Sequence, residues 1–201
     1  MPEHRLSTDT DDGLLLIISG PSGVGKTTIT RGVERSIPGA VFSVSATTRA
    51  RTPADVEGVD YHFVTPEEFE RMVGESAFLE HAGVFGKRYG TPRAWVEEQL
   101  ARGRLVILEI DVQGAMQVKA KVPDAFAVFI LPPSEEALLE RLRARKREGE
   151  EAIQKRFAEA RREIEQARSS GVYDAYVVNR DVHEAIEEAV GLIEQRRGAR
   201  R

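Results

Sequence analysis

The chain has 201 residues, 31% charged side chains and a formal net charge of −4, which predicts one soluble globular domain and argues against a general nucleic-acid binder. It contains no cysteine, so disulfide bonds and thiol chemistry are excluded, and a reducing cytoplasm is the expected location. The apolar runs 14–18 and 126–131 are too short to span a membrane. Residues 1–12 are polar and predict a disordered arm, not a secretory signal. We therefore expect neither a membrane nor a nucleic acid as partner.

Short apolar segments alternate with helical patterns along the chain. The run 13–20 predicts a buried strand, and the segment 26–36 after it predicts a helix that stops before Pro38. Further apolar stretches follow at 41–44, 105–111, 126–131 and 175–179, and further helices are predicted to start around Thr65, Thr91, Ser134, Glu150 and Val182. This alternation predicts an α/β fold in which helices cover both faces of a parallel sheet.

A glycine-rich segment follows the first predicted strand and opens the first helix. Its sequence, residues 20–27, matches the pattern GxxxxGK[ST] in full. In this pattern main-chain N–H groups surround an anion, the lysine reaches the β- and γ-phosphates, and the last hydroxyl ligates Mg²⁺. The segment predicts nucleoside triphosphate binding, without specifying the reaction, through Gly20, Pro21, Ser22, Gly23, Val24, Gly25, Lys26 and Thr27.

Two carboxylates, Glu109 and Asp111, end the predicted strand 105–111. Ligands of parallel sheets bind beyond the carboxyl ends of the strands, where the glycine-rich segment also lies. If the two strands are near neighbours, Asp111 approaches the acceptor site and a metal ion shared with Thr27. The alternative interpretation is a pair of acids that cap the next helix.

Five further segments make the pattern specific: FSVSATTR at 42–49, GVDYHF at 58–63, FLE at 78–80, KRYGT at 87–91 and EIDVQG at 109–114. With the glycine-rich segment they resemble the guanylate kinase family in order and spacing over about 14–193. The resemblance implies phosphoryl transfer from ATP to GMP, and to dGMP, with Mg²⁺, in purine nucleotide metabolism, by a monomer or homodimer. It also implies a P-loop core (13–43, 94–133 and 167–197), an inserted GMP-binding subdomain (44–93), a helical lid (134–166) and a basic tail (198–201).

The acceptor residues that the resemblance implies fit the chemistry of guanine. Guanine presents N1–H and N2–H₂ donors where adenine presents an acceptor, and a carboxylate accepts two hydrogen bonds, so it selects guanine. By the resemblance, Glu80 takes this role with help from Asp111, and Ser45 meets guanine O6. The residues expected to bind GMP are Ser45, Arg49, Arg51, Tyr61, Glu80, Tyr89, Thr91 and Asp111.

The expected phosphate contacts depart from the family pattern at one point. The family usually places a second arginine three residues after the position of Arg49, and a glutamate three residues further on. Here those positions hold Thr52 and Asp55. The neighbouring Arg51 is our hypothesis for the missing guanidinium.

Three arginines of the predicted lid match family positions. Arg141 and Arg145 are four residues apart and share a helix face, and Arg156 follows beyond Gly149. By the resemblance, they close over the transferred phosphoryl group and, with Lys26, stabilise its charge while excluding water. The alternative is a solvated charged helix. The resemblance also adds Thr28 and Asn179, the latter near the adenine, to the ATP-binding residues.

Other function classes stay open at the level of sequence. A P-loop kinase for adenylate, a deoxynucleotide or a small metabolite would share the glycine-rich segment, and substrate profiling would distinguish it. A non-catalytic module of the same fold would bind phosphopeptides in the GMP pocket, but such modules usually have degraded phosphate loops. A regulatory GTPase is disfavoured, because the chain lacks the Asn-Lys-x-Asp guanine motif.

Overall fold

Strands and helices alternate along the chain in a computed structural model, which describes residues 13–84, 86–144 and 149–199. The strands are β1 (Leu14–Ser19), β2 (Val41–Phe42), β3 (Ala46–Thr47), β4 (His62–Phe63), β5 (Phe78–Val84), β6 (Lys87–Pro92), β7 (Leu105–Glu109), β8 (Phe126–Leu131) and β9 (Ala175–Val178). The helices are α1 (Lys26–Ser36), α2 (Pro66–Gly74), α3 (Arg93–Ala101), α4 (Val112–Lys121), α5 (Glu135–Ala144), α6 (Glu150–Ser170) and α7 (Val182–Gly198). The predicted arm at 1–12 and the end of the predicted tail lie outside the described residues.

The larger sheet places the first strand at its centre. Its order in the described part of the chain is β2-β7-β1-β8-β9, and every neighbouring pair runs parallel. The register sets Ile18 of β1 opposite Glu109 of β7. The carboxyl ends of these two strands are therefore adjacent, which is the condition under which Asp111 approaches the glycine-rich segment.

Helices cover both faces of this sheet because successive strand residues point to opposite sides. Leu14, Leu16 and Ile18 pack with α1 and α7, whereas Leu15 and Ile17 pack with α3, α4 and α6. A strand buried on both faces reads as a continuous apolar run, and the run 14–18 has this character. The predicted α/β fold with a doubly covered parallel sheet is confirmed.

A smaller sheet, of order β4-β3-β6-β5, is built from strands between residues 46 and 92. Its longest pairing is antiparallel, between β5 and β6, and sets Glu80 opposite Thr91. Helix α2 packs over this sheet through Phe69, whose ring centroid lies 4.6 Å from that of Phe78. The smaller sheet falls within the proposed insertion 44–93, and the boundaries of that insertion stay a prediction.

The hairpin of β5 and β6 differs from the sequence prediction, which starts a helix at Thr91. Thr91 and Pro92 end β6, and α3 begins at Arg93. The Thr91 hydroxyl donates to Glu80 at 2.6 Å, so it is committed across the hairpin instead of capping a helix. At the other end of the chain, α7 runs to Gly198, so the predicted tail starts inside that helix.

The described helices include none with the length and apolar composition needed to cross a bilayer.

Candidate active site

The phosphate loop, residues 20–27, leaves β1 and enters α1 as the pattern predicts. Gly25 has a φ of +96°, a left-handed conformation that favours glycine, and α1 begins directly after it at Lys26. The Lys26 Nζ donates to carbonyl oxygens within the loop, and Thr27 and Thr28 are exposed on the first helical turn. The loop thus presents the positive end of a helix and a lysine to an anion.

Asn179 braces this loop from the end of β9. Its buried side chain donates from Nδ2 to the carbonyl oxygen of Val24 at 2.7 Å. Arg141 of α5 donates in turn to the carbonyl oxygen of Asn179 at 2.9 Å. In the structure the Asn179 side-chain amide therefore binds the phosphate loop. The contact of Asn179 with adenine stays a prediction.

The two carboxylates after β7 have different neighbours. Thr27 Oγ1 donates to Glu109 Oε1 at 2.8 Å. Asp111 accepts from the main-chain N–H of Gly114 at 2.8 Å and caps α4. Asp111 therefore fills the capping role that the sequence left open, while it also lines the central cavity.

The Thr27 hydroxyl and the neighbouring Glu109 carboxylate fit a hard cation. Mg²⁺ prefers oxygen ligands and is usually held by one or two protein groups together with substrate phosphates and water. Within the described residues, no three His, Asp or Glu side chains group as a metal site. In the structure the carboxylate hydrogen-bonded to Thr27 is that of Glu109. Binding of one metal ion by Thr27 and Asp111 together stays a prediction.

Glu80 of β5 is the buried carboxyl group of the smaller sheet. Only 3% of the residue is exposed, and Oε1 accepts the Thr91 hydroxyl at 2.6 Å. Burial, with a further contribution from Asp111, raises the pKa of Glu80 to about 7, although the Thr91 hydrogen bond acts in the opposite direction. A carboxyl group has more acceptor sites than the Thr91 hydroxyl fills, so a buried one gains from a ligand that donates two hydrogen bonds.

A cavity of about 290 Å³ joins the phosphate loop to Glu80. Its walls come from the loop, from the end of β7 and from the smaller sheet with the segment before it. The residues that line it include Lys26, Ser45, Tyr61, Glu80, Tyr89, Glu109 and Asp111. The lysine of the loop and the carboxylate predicted to bind guanine therefore face one common space.

Three residues predicted to hold the GMP phosphate lie together. The guanidinium of Arg49 lies over the ring of Tyr61, with its central carbon 5.1 Å from the ring centroid. Tyr61 and Tyr89 meet edge to face at 5.7 Å between centroids, and both line the cavity. Burial raises the pKa of the Tyr61 hydroxyl, so it remains a hydrogen-bond donor at neutral pH.

Arg51 lies on the exposed part of the same loop. Its Nε donates to the main-chain carbonyl oxygen of Asp55 at 3.1 Å. The Asp55 carboxylate is bound by Arg49, through two hydrogen bonds of 2.8 and 3.0 Å. The structure thus connects both arginines of this loop to Asp55, and contact of Arg51 with a phosphate stays a prediction.

Arginines of α5 and α6 reach the phosphate loop. Arg156 donates from Nη2 to the Ser22 hydroxyl, and Arg141 donates to the Val24 carbonyl oxygen at 3.4 Å. The two helices hold each other through an apolar cluster of Leu138, Leu142, Ile153 and Ala160. The third predicted arginine, Arg145, lies outside the described residues.

Glu163 of α6 also lines the cavity, although the sequence did not single it out. Burial raises its pKa to about 7, with Lys26 lowering it and Asp111 raising it. It follows Arg156 by seven residues, a spacing that sets both on one face of a helix. This spacing was the only sequence signal that could have pointed to Glu163. Because charged residues occur all around the helix predicted at 150–168, nothing in the sequence favoured the face that carries Arg156 and Glu163.

Comparisons with known proteins agree with this geometry. A family model described as guanylate kinase matches residues 13–196. A guanylate kinase of Symbiobacterium thermophilum is 48% identical over 90% of this chain and 84% of its own length, and one of Thermobifida fusca is 47% identical over 96% and 97%. The crystal structure of guanylate kinase from Anaplasma phagocytophilum matches with a TM-score of 0.73 and 32% identity, covering 92% of this chain and 86% of the other.

Proposed function

Because this chain belongs to the guanylate kinase family, we propose that its reaction, transfer of the γ-phosphoryl group of ATP to GMP, takes place in the cavity between the phosphate loop and Glu80. The products are ADP and GDP. The observation that supports this site is that Lys26 and Glu80 line one cavity of about 290 Å³. ATP with its triphosphate on the loop and GMP with its guanine at Glu80 would then face each other through their phosphates.

The donor side uses the loop 20–27 and the start of α1. Main-chain N–H groups and Lys26 bind the phosphates of ATP, and Thr28 and Asn179 complete the proposed ATP-binding residues. Mg²⁺ would be held by the Thr27 hydroxyl together with the carboxylates of Glu109 and Asp111 at the end of β7. When bound, this ion neutralises charge on the β- and γ-phosphates.

The acceptor side reads both ends of GMP. Glu80, with Asp111 and Ser45, accepts and donates along the guanine edge, and Thr91 holds the Glu80 carboxyl group in place through its 2.6 Å hydrogen bond. The phosphate end is bound by Arg49, Arg51, Tyr61 and Tyr89. An Arg51→Ala variant with an unchanged KM for GMP would remove Arg51 from this set.

The transfer needs no protein nucleophile, because the GMP phosphate is already ionised. One of its oxygens attacks the γ-phosphorus in line, a new P–O bond forms, and the bond to the β,γ-bridging oxygen breaks, leaving its electron pair on ADP. Negative charge spreads over the equatorial oxygens of the transferred group. Lys26, Arg141, Arg145 and Arg156 are proposed to stabilise this charge, in a site from which the lid excludes water.

The setting of the reaction is a further part of the proposal. GMP and dGMP differ at a sugar hydroxyl that none of the proposed contacts reads, so we propose that dGMP is also phosphorylated. The product, GDP, is a purine nucleoside diphosphate, which supports a role for the enzyme in purine nucleotide metabolism. The absence of cysteine and the use of ATP support a cytoplasmic location, in which the protein is a monomer or a homodimer.

A coupled assay of ADP release, with ATP, Mg²⁺ and each nucleoside monophosphate in turn, tests the proposed function. We expect GMP to be the preferred acceptor and Lys26→Ala to lower kcat by roughly 10²-fold or more, as loss of one charge-stabilising donor does. Lys87→Ala, which removes an exposed lysine of β6, is the matched control and should keep full activity. Preference for AMP over GMP would contradict the proposal.

A further inference from the structure

The loop between β3 and β4 is organised by one carboxylate, that of Asp55. It accepts four hydrogen bonds: two from Arg49, from Nη1 at 3.0 Å and Nη2 at 2.8 Å, and two from Thr52, from the main-chain N–H at 2.7 Å and the hydroxyl at 2.6 Å. The guanidinium of Arg49 and the donors of Thr52 hold the pKa of Asp55 well below its usual range. Asp55 is therefore ionised at neutral pH.

The pairing with Asp55 fixes the plane of the Arg49 guanidinium. Two parallel N–H···O bonds between a guanidinium and a carboxylate define an orientation as well as a contact. The same guanidinium lies over two rings, 5.1 Å from the centroid of Tyr61 and 5.4 Å from that of Phe63. Arg49 is thus held along one edge by a carboxylate and across its face by aromatic rings.

The contacts of Arg49 leave a defined edge for a ligand. A guanidinium has five N–H donors. Nη1 donates to Asp55 and to the carbonyl oxygen of Ala50, the latter at 3.1 Å. Nη2 donates one of its two hydrogens to Asp55. The remaining donors are Nε–H and the second hydrogen of Nη2, which form the side edge of the fork. A phosphate takes such an edge through two of its oxygens.

We propose that Asp55 and Thr52 are positioning residues that hold Arg49 so that its Nε–Nη2 edge meets the phosphate of the acceptor nucleotide. This inference rests on the proposed function, since it assigns the phosphate end of GMP to this loop. Thr52 stands where a second phosphate arginine is usual in the family, and here it donates to Asp55. The loop therefore supplies one preorganised guanidinium, which reduces the ordering cost that binding must otherwise overcome.

A competing account makes different predictions from the same contacts. In this account the negative charge of Asp55 lies beside the proposed phosphate site, and its sole effect is to repel the phosphate of GMP. Removing its charge would then tighten GMP binding. If Asp55 positions Arg49, removing the charge frees the guanidinium to rotate, and GMP binding weakens even though the local charge becomes more positive.

Steady-state kinetics of the full chain at saturating ATP separate these accounts. We expect Asp55→Asn to raise the KM for GMP about tenfold, the effect of losing one charge-assisted contact of ordinary strength, with a change in kcat of less than about threefold. Thr52→Val, which removes the hydroxyl and alters no charge, should raise this KM by about threefold, in line with one neutral hydrogen bond. The KM for ATP should stay unchanged in both variants.

A double-mutant cycle shows whether Asp55 acts through Arg49. Lysine cannot form the paired contact with a carboxylate, so in an Arg49→Lys background the added Asp55→Asn change should raise the KM for GMP by less than about twofold. Asp60→Asn is the matched control, because Asp60 lies in the same loop and accepts from the main-chain N–H of Val56 at 2.7 Å. It should leave the KM for GMP near the wild-type value.

Three results would overturn the inference: an unchanged or lower KM for GMP in Asp55→Asn, an equal effect of that change in the Arg49→Lys background, or an equal rise in KM for Asp60→Asn. If Asp55→Asn fails to fold, as judged by circular dichroism, Thr52→Val alone decides, and an unchanged KM in that variant refutes the role. A wild-type chain that does not phosphorylate GMP would refute the proposed function instead, so the two failures are distinguishable.

Discussion

At the scale of single residues, burial of Glu80 opposes ionisation of its carboxyl group. The carboxyl group is buried, and Asp111 lies close enough to oppose its ionisation. A carboxyl group whose pKa is raised on folding destabilises the folded state at high pH, because folding then requires burial of the charged form. Guanine bound as proposed would donate two hydrogen bonds to this carboxyl group and so offset the destabilisation.

The pKa of Glu80 predicts a pH-dependent change in stability. In the unfolded chain the group titrates near its ordinary value of 4.5, and in the folded protein at about 7. The destabilisation is therefore absent below pH 4.5, grows between pH 4.5 and 7, and is complete above pH 7. Glu80→Gln, which is always neutral, should melt above the wild type at pH 8, by roughly 2–4 °C for each 1 kcal/mol in a domain of this size.

Melting curves without nucleotide at pH 5 and pH 8 check this prediction. The advantage of Glu80→Gln should shrink as the pH falls to 5. Glu98→Gln, which neutralises an exposed glutamate on α3, serves as the control and should show no such trend. A Glu80→Gln variant that melts below the wild type at pH 8 would show that burial of the ionised group is not the dominant effect.

Gly114 keeps space for the two carboxylates. A Cβ at this position would lie 2.7 Å from Glu80 Oε2 and 3.3 Å from Asp111 Oδ1, and the buried Glu80 has little room to move. Gly114→Ala should therefore displace the carboxyl group that is proposed to bind guanine. We expect the KM for GMP to rise roughly tenfold, corresponding to about 1.4 kcal/mol, with the KM for ATP unchanged.

The matched control for this substitution is Gly191→Ala. Gly191 is also inside a helix, α7, and a Cβ there meets nothing within 4 Å. Its replacement should leave both KM values unchanged and stabilise the protein by about 0.5–1 kcal/mol through helix propensity. If both variants raise the KM for GMP equally, the close approach at Gly114 is not the cause.

At the scale of elements, α6 brings one arginine onto the phosphate loop and leaves others in solvent. Arg156 reaches the Ser22 hydroxyl, whereas Arg161 pairs with Glu135 at an exposed site, where ion pairs contribute little. Arg156→Ala should lower kcat by roughly 10²-fold, because it removes a donor to charge that develops in the transition state. Arg161→Ala should keep full activity, and initial-rate measurements at saturating ATP and GMP compare the two.

A structural role for Arg156 would give a different pattern from a catalytic one. If the side chain only holds α6 against the loop, Arg156→Ala lowers the melting temperature and raises both KM values while kcat falls little. A kcat within about threefold of the wild type would therefore contradict the assignment.

Elements with strong local signals were predictable from the sequence. The phosphate loop needs only residues that are adjacent in the chain, and β1 is an unbroken apolar run. The hairpin of β5 and β6 was not predicted, because the sequence KRYGTP of β6 is polar and lacks the alternation of a half-buried strand. Its pairing comes from tertiary contacts, including the hydrogen bond from Thr91 to Glu80.

The residues of the proposed site also divide into those that the sequence identified and those that only the structure revealed. The positions of Lys26 and Glu80 on one cavity follow from matching the chain to a family, because local pattern alone does not bring residues 54 positions apart together. Glu163 and Asp55 needed the structure. Glu163 lies in a helix in which most residues are charged, and the partner of Asp55 depends on the irregular path of a loop, for which sequence offers no period.

At the scale of the whole molecule, both sheets contribute residues to the proposed site. The parallel sheet ends in the phosphate loop and in Glu109, at adjacent carboxyl ends of β1 and β7. The smaller sheet carries Glu80 and Tyr89 on its hairpin, and the cavity lies between the two. The residues proposed to bind ATP therefore lie mainly at the carboxyl end of the larger sheet, and most of those proposed to bind GMP lie on the smaller sheet and the loops joined to it.

The ratio of kcat/KM for GMP to that for AMP, measured in the wild type and in Glu80→Gln, tests the central claim most directly. An amide keeps the shape of the carboxylate but replaces one acceptor with a donor, so guanine loses one partner and meets a like donor. We predict that the ratio falls by about 10- to 100-fold, matching the roughly 1–3 kcal/mol of one two-point base contact, through loss of activity with GMP. A folded Glu80→Gln variant with the ratio of the wild type would contradict the assignment of Glu80 as the residue that selects guanine.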